Sequence, residues 1–307
     1  MSRLRFFAQL LVKSDFLTRK LFDFYTQLLV YAPSMHAIKQ SKSMANYIRQ
    51  DSGDNTSSVQ RRVLSNLSLF RCLELPDSQL LRIGPNHDGG YVIHPSFKNL
   101  TKVFSIGVAE DTSFEEHLLH LNQNIEFFLF DHTVTPKRKL PGSMHFYSLG
   151  LGNSIEGQFV NLEYIVNKHL LPEDASLLKV DIEGSEYSAL EFVHSDTFNK
   201  FDQIVIELHE LNGEKLSSDQ LSSLLERIRA NFNLIHIHGN NNDGYINVCG
   251  ICVPQTLEIT FLNKRIEVTE VPGSAIFPRV MDFPNTIGDD LVIGAFKFPI
   301  PVDPNRE

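Results

Sequence analysis

Apolar positions along the chain fall into two regimes. Near the amino terminus they recur at helical spacing: Leu17, Leu21, Phe24, Leu28 and Tyr31 form one stripe, widened by Phe22, Tyr25 and Leu29. Val59, Val63, Leu67 and Phe70 form a second stripe, and the polar run DSGDNTSS at 51–58 has the composition of a linker between the two. From Arg82 onward the pattern changes to short apolar runs that alternate with helical segments. VFSIG (103–107), IEFFLFD (125–131), MHFYSLG (144–150), SLLKVD (176–181) and QIVIEL (203–208) predict buried strands, with NLIHIH and LEITFL as a closing pair. Helices are expected from a capping box of Thr112 and Glu115, over 162–169, over 186–193, and from a cap of Ser217 with Gln220. Strands alternating with helices, and strands apolar nearly throughout, imply a doubly wound, mostly parallel, Rossmann-like α/β sheet covered on both faces. The domain reading is a helical extension and linker over 1–58, followed by one α/β domain over 59–307.

A sheet of that kind binds ligands just past the carboxyl ends of its strands, where the strand order reverses. The rule selects Gly107 to Asp111, Asp131 with His132, Asp181 to Glu186, and Glu207 to Glu210. Gly107 permits close approach to the backbone, and the helix start that follows offers N–H groups to an anion. Asp131 ends the next strand 24 positions beyond Gly107, close to the spacing of about 20 from which a carboxylate accepts bonds from ribose hydroxyls; as a plain turn cap it would do less. Asp181 stands where a carboxylate can orient a substrate hydroxyl or take its proton, and with Ser185 it also suits a helix cap. No GxGxxG and no GxxxxGK[ST] occurs, which counts against nicotinamide and P-loop nucleotide chemistry.

The net charge of −9 counts against a nucleic-acid surface. Three cysteines, Cys72, Cys249 and Cys252, are too few for a disulfide framework, and a cytoplasmic setting is expected. Arg3 and Arg5 precede an apolar run from Phe6 to Val12, but Lys13, Asp15, Arg19, Lys20 and Asp23 interrupt any membrane span. The stripe from Leu17 is expected to pack on its own domain or on a second copy of the chain, with peripheral membrane contact as the other use of such a face. Cys249 and Cys252 form a CxxC downstream of His236 and His238, yet an offset of three on a strand turns the two thiols to opposite faces. No zinc is expected there.

Taken in order, VFSIGVAEDTSFE, FLFDHT, FYSLGLG, LLKVDIEGSEYSAL, IVIELH and VPQTLEITFLNK resemble the successive motifs of the FkbM-like family of class I S-adenosylmethionine-dependent methyltransferases. RIGPNHDGGYVI, 82–93, resembles the segment before the first motif in one branch of that family. The resemblance covers about 82–264. It implies a seven-stranded sheet, S-adenosylmethionine as cofactor, and O-methylation of a sugar or glycan hydroxyl. Position by position it puts Gly107, Glu110 and Asp111 in the cofactor loop, Asp131 at the ribose, and Asp181 and Glu183 at the methyl-transfer site; the strand-end rule adds His132 on the cofactor side and His209 on the catalytic side. The chain departs from the commonest family pattern, Asp-x-Gly-x-Asn: Ser105 replaces its first Asp, and Glu110 with Asp111 follow in place of a second glycine.

Asp181, Glu183, Glu207 and His209 end adjacent strands and suit a hard cation such as Mg²⁺; the simpler reading assigns no metal and makes His209 an acid–base partner. His87 and Asp88 sit on a Gly-rich turn placed to fold over the pocket, and His87 is an alternative base. Two other functions are compatible with the pattern: a non-catalytic binding module of the same fold, and a nucleotide-sugar or nicotinamide enzyme.

Overall fold

The computed structural model describes residues 58–248, 251–273 and 275–296. The stripe over 17–31, nearly all of the linker, and Cys249 lie outside the described residues. Strands β1 (Leu81–Ile83) and β2 (Tyr91–Ile93) form an antiparallel hairpin, followed by β3 (Lys102–Ile106), β4 (Glu126–Phe130) and β5 (Met144–Tyr147). A small parallel pair, β6 (Gly150–Leu151) and β7 (Phe159–Val160), precedes β8 (Ser176–Val180), β9 (Gln203–Leu208) and β10 (Phe232–Gly239). The hairpin β11 (Tyr245–Val248) and β12 (Ile251–Pro254) then leads into β13 (Leu257–Asn263). The helices are α1 (Ser58–Ser68), α2 (Ser113–Leu121), α3 (Leu162–His169), the short α4 (Glu186–Ala189), α5 (Ser195–Phe198) and α6 (Gly213–Leu216), and α7 (Asp219–Arg229).

Seven strands join one sheet in the order β10-β13-β9-β8-β3-β4-β5. The pairs β3–β4, β4–β5, β3–β8 and β8–β9 are parallel, and β13 runs antiparallel between β9 and β10. The chain builds outward from β3 through β4 to β5, then returns to place β8 on the other side of β3. The order therefore reverses between β3 and β8, and ligands bind at the carboxyl edge of such a reversal.

Strand alternation sorts the two faces. Ile204, Ile206 and Leu208 of β9, with Leu178 and Val180 of β8, point into the larger core, which α1, α3 and α7 cover with Val63, Leu67, Ile165, Leu221, Leu224 and Ile228. Val205 and Leu177 point into the other core, under α2 and the β1–β2 hairpin, beside Tyr91, Phe114 and Leu118. Glu207, two residues from Val205, and Lys179 and Asp181, two and four from Leu177, share that second face.

Several local expectations change. Thr112 occupies the cap position of α2 without a side-chain capping bond; Asp111 accepts the Ser113 N–H at 2.9 Å, and the Thr112 hydroxyl donates to Glu116 instead. Glu115 is fully buried rather than reaching back to the cap. Ser218, not Ser217, caps α7, accepting from the Leu221 N–H at 3.2 Å. The helix expected over 186–193 ends at Ala189. NVCGICV is not one strand: Asn247 pairs with Cys252 across the β11–β12 hairpin.

Leu224 of α7 is completely buried. Leu224→Ala should lower unfolding stability by about 2–5 kcal/mol in urea denaturation; a loss under about 1 kcal/mol would show that α7 does not seal this face.

Candidate active site

One line of residues crosses the carboxyl edge of the sheet. The register pairs His238 of β10 with Glu258 of β13, and Glu258 with Glu207 of β9. One step beyond the pairs Ile206↔Val180, Val180↔Ile106 and Ile106↔Phe130, the line runs on through Asp181, Gly107 and Asp131. Ladder bonds continue with it: the Asp181 N–H donates to Ile106 at 3.0 Å and the Gly107 N–H to Phe130 at 2.9 Å.

At the reversal, Gly107 has φ +77°, and a Cβ there would lie 1.6 Å from the Asp181 carbonyl oxygen. The glycine is required by the crossing of two chain segments, a different reason from the close ligand approach expected from sequence. It also fixes Asp181 directly beside the first loop.

Asp131 is buried and already well bonded. Its Oδ2 accepts the Ala109 N–H at 2.9 Å, and its Oδ1 accepts the Thr133 N–H at 2.7 Å and hydroxyl at 2.6 Å. Burial pushes its pKa up, but the Thr133 and Ala109 bonds outweigh burial and hold it below the usual carboxylate range. Glu110 and Asp111 turn to partners in their own chain: Glu110 meets Lys137 at 2.6 Å, both exposed, and Asp111 caps α2. Asp111 also borders the Gly-rich loop, its Oδ2 lying 3.2 Å from where a Cβ on Gly89 would stand. His132 is exposed and its ring packs on Phe159 at 4.7 Å.

On the other side of Gly107 the groups are acidic and crowded. Tyr91 of β2, itself buried, reaches both Asp181 Oδ2 at 3.0 Å and Glu207 Oε2 at 3.2 Å. Asn240 donates to Glu207 Oε1 at 2.8 Å. Burial drives the Asp181 pKa up against the opposing influence of Lys179, His209 and the Tyr91 bond. Burial, together with the charges of Asp181 and Glu258, drives that of Glu207 well up. The Asp181 side chain keeps 23% of its surface exposed against 3% for Glu207, so Asp181 is the carboxylate of the pair that is open to solvent.

His209 follows β9. Its Nδ1 lies 3.1 Å from Glu186 Oε1, and its Nε2 faces Glu183 at 3.6 Å and Asp181 and Glu207 each at 3.9 Å. Burial alone would lower its pKa, but Glu186, Glu207 and Asp181 raise it to about 9. Glu183 is mostly exposed at φ 54°, turning the chain into α4. The turn is held by Glu186, whose Oε1 accepts the N–H groups of Ile182 at 3.0 Å and Gly184 at 3.2 Å, while Ser185 makes no side-chain capping bond. His87 is exposed, its ring 3.0 Å from the Asp88 carbonyl.

The model of the FkbM methyltransferase domain matches residues 76–245, more than half of the chain. The chain belongs to the FkbM methyltransferase family. No curated relative matches the sequence. Among solved structures, it is similar to a fibrillarin/Nop5p complex at 11% identity, over 53% of this chain and 72% of that one, with TM-score 0.34. A fibrillarin pre-rRNA processing protein of Methanococcus jannaschii shares 9% identity over 55% and 68%, TM-score 0.31. Precorrin-6y C5,15-methyltransferase of Geobacter metallireducens GS-15 shares 11% over 70% and 96%, TM-score 0.31.

Family membership implies S-adenosylmethionine as the methyl donor, and the first half of the line suits its adenosine. Asp131 is anionic at the strand end, and three of its roughly four acceptor positions are used by Ala109 and Thr133, leaving one for a ribose hydroxyl. The fit is thus a single charge-assisted bond rather than a pair. A cavity of about 590 Å³ bounded by Asp174, Lys200, Asp202 and Arg265 lies at the opposite edge, before β8 and β9, away from this line.

The sequence reading gives no role to several site residues: Tyr91, Glu186 (inside the selected range 181–186), Asn240, Glu258 and Lys179, whose ammonium sits 5.2 Å over the Tyr91 ring. Lys179, Tyr91, Glu186 and Glu258 lie inside the quoted motif segments, but the contacts that bring them and Asn240 together arise only through the fold.

Gly107→Ala should cost about 3 kcal/mol or more, since overpacking and a left-handed backbone both oppose it; a melting temperature like the wild type's would refute the crossing. Because the folded-state pKa of Asp131 is depressed, its contribution is present above 3.8 and lost as pH falls through the lower folded value. Asp131→Asn should therefore flatten the acid limb of the stability–pH curve below that point, and an unchanged limb would count against it.

Proposed function

We propose that the protein transfers the methyl group of S-adenosylmethionine to a hydroxyl of a sugar or glycan, with Asp181 as the base. The observation that carries this reading is the contact between Gly107 and Asp181: the one accessible carboxylate of the acidic row stands against the turn where the cofactor loop begins. The cofactor, when bound, supplies an electrophilic methyl group on sulfonium sulfur, so the protein's main task is in-line placement of the acceptor oxygen. Asp131 holds the ribose through its open acceptor position. Asp181 Oδ1 takes the hydroxyl proton, while Oδ2 stays bonded to Tyr91 and fixes the carboxylate plane.

His209 is less well placed as the base. Its Nδ1 is committed to Glu186 and its Nε2 faces three carboxylates, so it organises Asp181 and Glu183 instead. His87 sits on the exposed turn next to Asp88, whose carboxylate comes near Glu207 and Glu258. A polyhydroxylated acceptor suits a rim rich in carboxylates and amides, and the chain's net charge of −9 disfavours a phosphate-rich one.

Asp181→Asn is nearly isosteric and keeps an acceptor for Tyr91. Turnover with a labelled methyl donor should fall roughly 10²–10⁴-fold while the melting temperature barely moves. Normal turnover would transfer the role to His87 or His209, and joint loss of stability and cofactor binding would make Asp181 structural. Asp131→Ala should weaken S-adenosylmethionine binding by about 1.5–3 kcal/mol, the worth of one hydrogen bond to a charged group; unchanged affinity by calorimetry would remove Asp131 from the cofactor site.

A further inference from the structure

Glu207 and Glu258 stand directly opposite each other on adjacent antiparallel strands, both buried. Like charges so placed repel across a pair of strands, and burial deprives them of water. Two imidazoles face them, His209 with Nε2 3.9 Å from Glu207 and His238 beside Glu258, and each is shared with other carboxylates. Asn240 and Tyr91 bond Glu207, and Tyr91 has a single hydrogen to divide between Glu207 and Asp181. His238 lies 2.9 Å from Glu258, but its other nitrogen is taken by Asp290 at 3.0 Å.

A third carboxylate closes on the pair from outside. Asp88, exposed on the loop between β1 and β2, contributes an oxygen so that oxygens of Asp88, Glu207 and Glu258 all lie within 4.8 Å of one another. Asn285 supplies an independent pointer. Its amide head is wedged between two of these carboxylates, with Nδ2 3.1 Å from Asp88 Oδ1 and 2.5 Å from Glu258 Oε1. Its Oδ1, on the same carbon, is buried with no hydrogen-bond partner. A half-turn of that amide exchanges nitrogen for oxygen and presents a fourth oxygen to the same space. Asn285 is carried there by a segment anchored on both sides, through Asp282 to His236 at 3.2 Å and Asp290 to His238.

We propose that Asp88, Glu207, Glu258 and the side-chain oxygen of Asn285 bind one hard divalent cation of Mn²⁺ to Ca²⁺ size. All four donors are oxygens, the set such ions prefer. Metal–oxygen distances of about 2.2–2.4 Å put opposite ligands about 4.4–4.8 Å apart, matching the spread of the cluster. The ion offsets the two facing glutamates, and Asp88 on the rim gives it a route in from solvent. On the methyl-transfer reading, it stands next to Asp181 through the shared Tyr91–Glu207 contacts and can hold a second hydroxyl of the acceptor. Ion binding itself does not depend on that reading, because it is measured without cofactor or acceptor.

The test is a titration of the chelator-treated, dialysed full-length protein with MnCl₂, following loss of the free Mn²⁺ electron paramagnetic resonance signal, with CaCl₂ as competitor. One bound Mn²⁺ per chain, displaced by Ca²⁺, is expected. Asp88→Asn, at an exposed position that leaves the fold intact, should weaken it at least ten-fold, and Glu258→Gln should do the same or more. No binding at millimolar Mn²⁺ would overturn the proposal. So would binding that survives Asp88→Asn but is lost in His209→Gln, which would place the ion on Asp181, Glu207 and His209. An inactive protein that still binds Mn²⁺ would count against the methyl-transfer reading alone.

Discussion

Holding several carboxylates side by side out of water is the constraint around which this molecule is arranged. Asp181, Glu207 and Glu258 occupy neighbouring positions across three strands, and each needs counterweights beyond those the strands supply, Lys179 of β8 for Asp181 and His238 of β10 for Glu258. The fold delivers those partners from outside the sheet. Tyr91 comes from the β1–β2 hairpin, His209 and Asn240 from the ends of β9 and β10, and Asn285 and Asp290 from the irregular segment after β13. A hairpin of two three-residue strands would be marginal alone. Here it is tied down by Thr260, which donates to the Val92 carbonyl at 2.6 Å, and by the packing of Tyr91 on Phe114 at 5.6 Å.

The same row divides the site in two. On one side of Gly107 stands Asp131, whose charge is stabilised by donors from its own loops and is suited to a polar, uncharged ribose. On the other side stand Asp181 and Glu207, whose pKa values burial pushes up, in a row suited to proton transfer or to a cation. Opposite perturbations on two aspartates in one line mark two different environments on either side of Gly107. Gly107 is where the two halves touch, and on the proposed reading that backbone contact sets the distance between cofactor and acceptor.

Much of this was legible in the sequence because it is local. The five parallel strands were found by their apolar runs, and Gly107, Asp131, Asp181 and His209 by the rule that ligand groups follow strands. That rule fails for β13. It runs antiparallel, so its first residues, not its last, lie on the carboxyl edge, and Glu258 could not be recognised without the topology. Tyr91 was hidden for a different reason, since three-residue strands carry no readable period. Glu186 was hidden because its role is to reach back to Ile182 and Gly184 and across to His209, which spacing alone does not reveal. The first loop is expected as a ligand cradle, and the structure gives its residues a further duty, Gly107 at the crossing of the chain with itself and Asp111 at the start of α2. Chain-to-chain contacts and ligand contacts favour the same residue types, and only geometry separates them.

The central claim is that the line from Asp131 to Asp181 receives S-adenosylmethionine. Calorimetric titration of the wild-type protein with S-adenosylmethionine, and in parallel with NAD, tests it most directly. The account predicts saturable, one-to-one binding of S-adenosylmethionine and none of NAD over the same range. Binding of NAD with no heat from S-adenosylmethionine would contradict it.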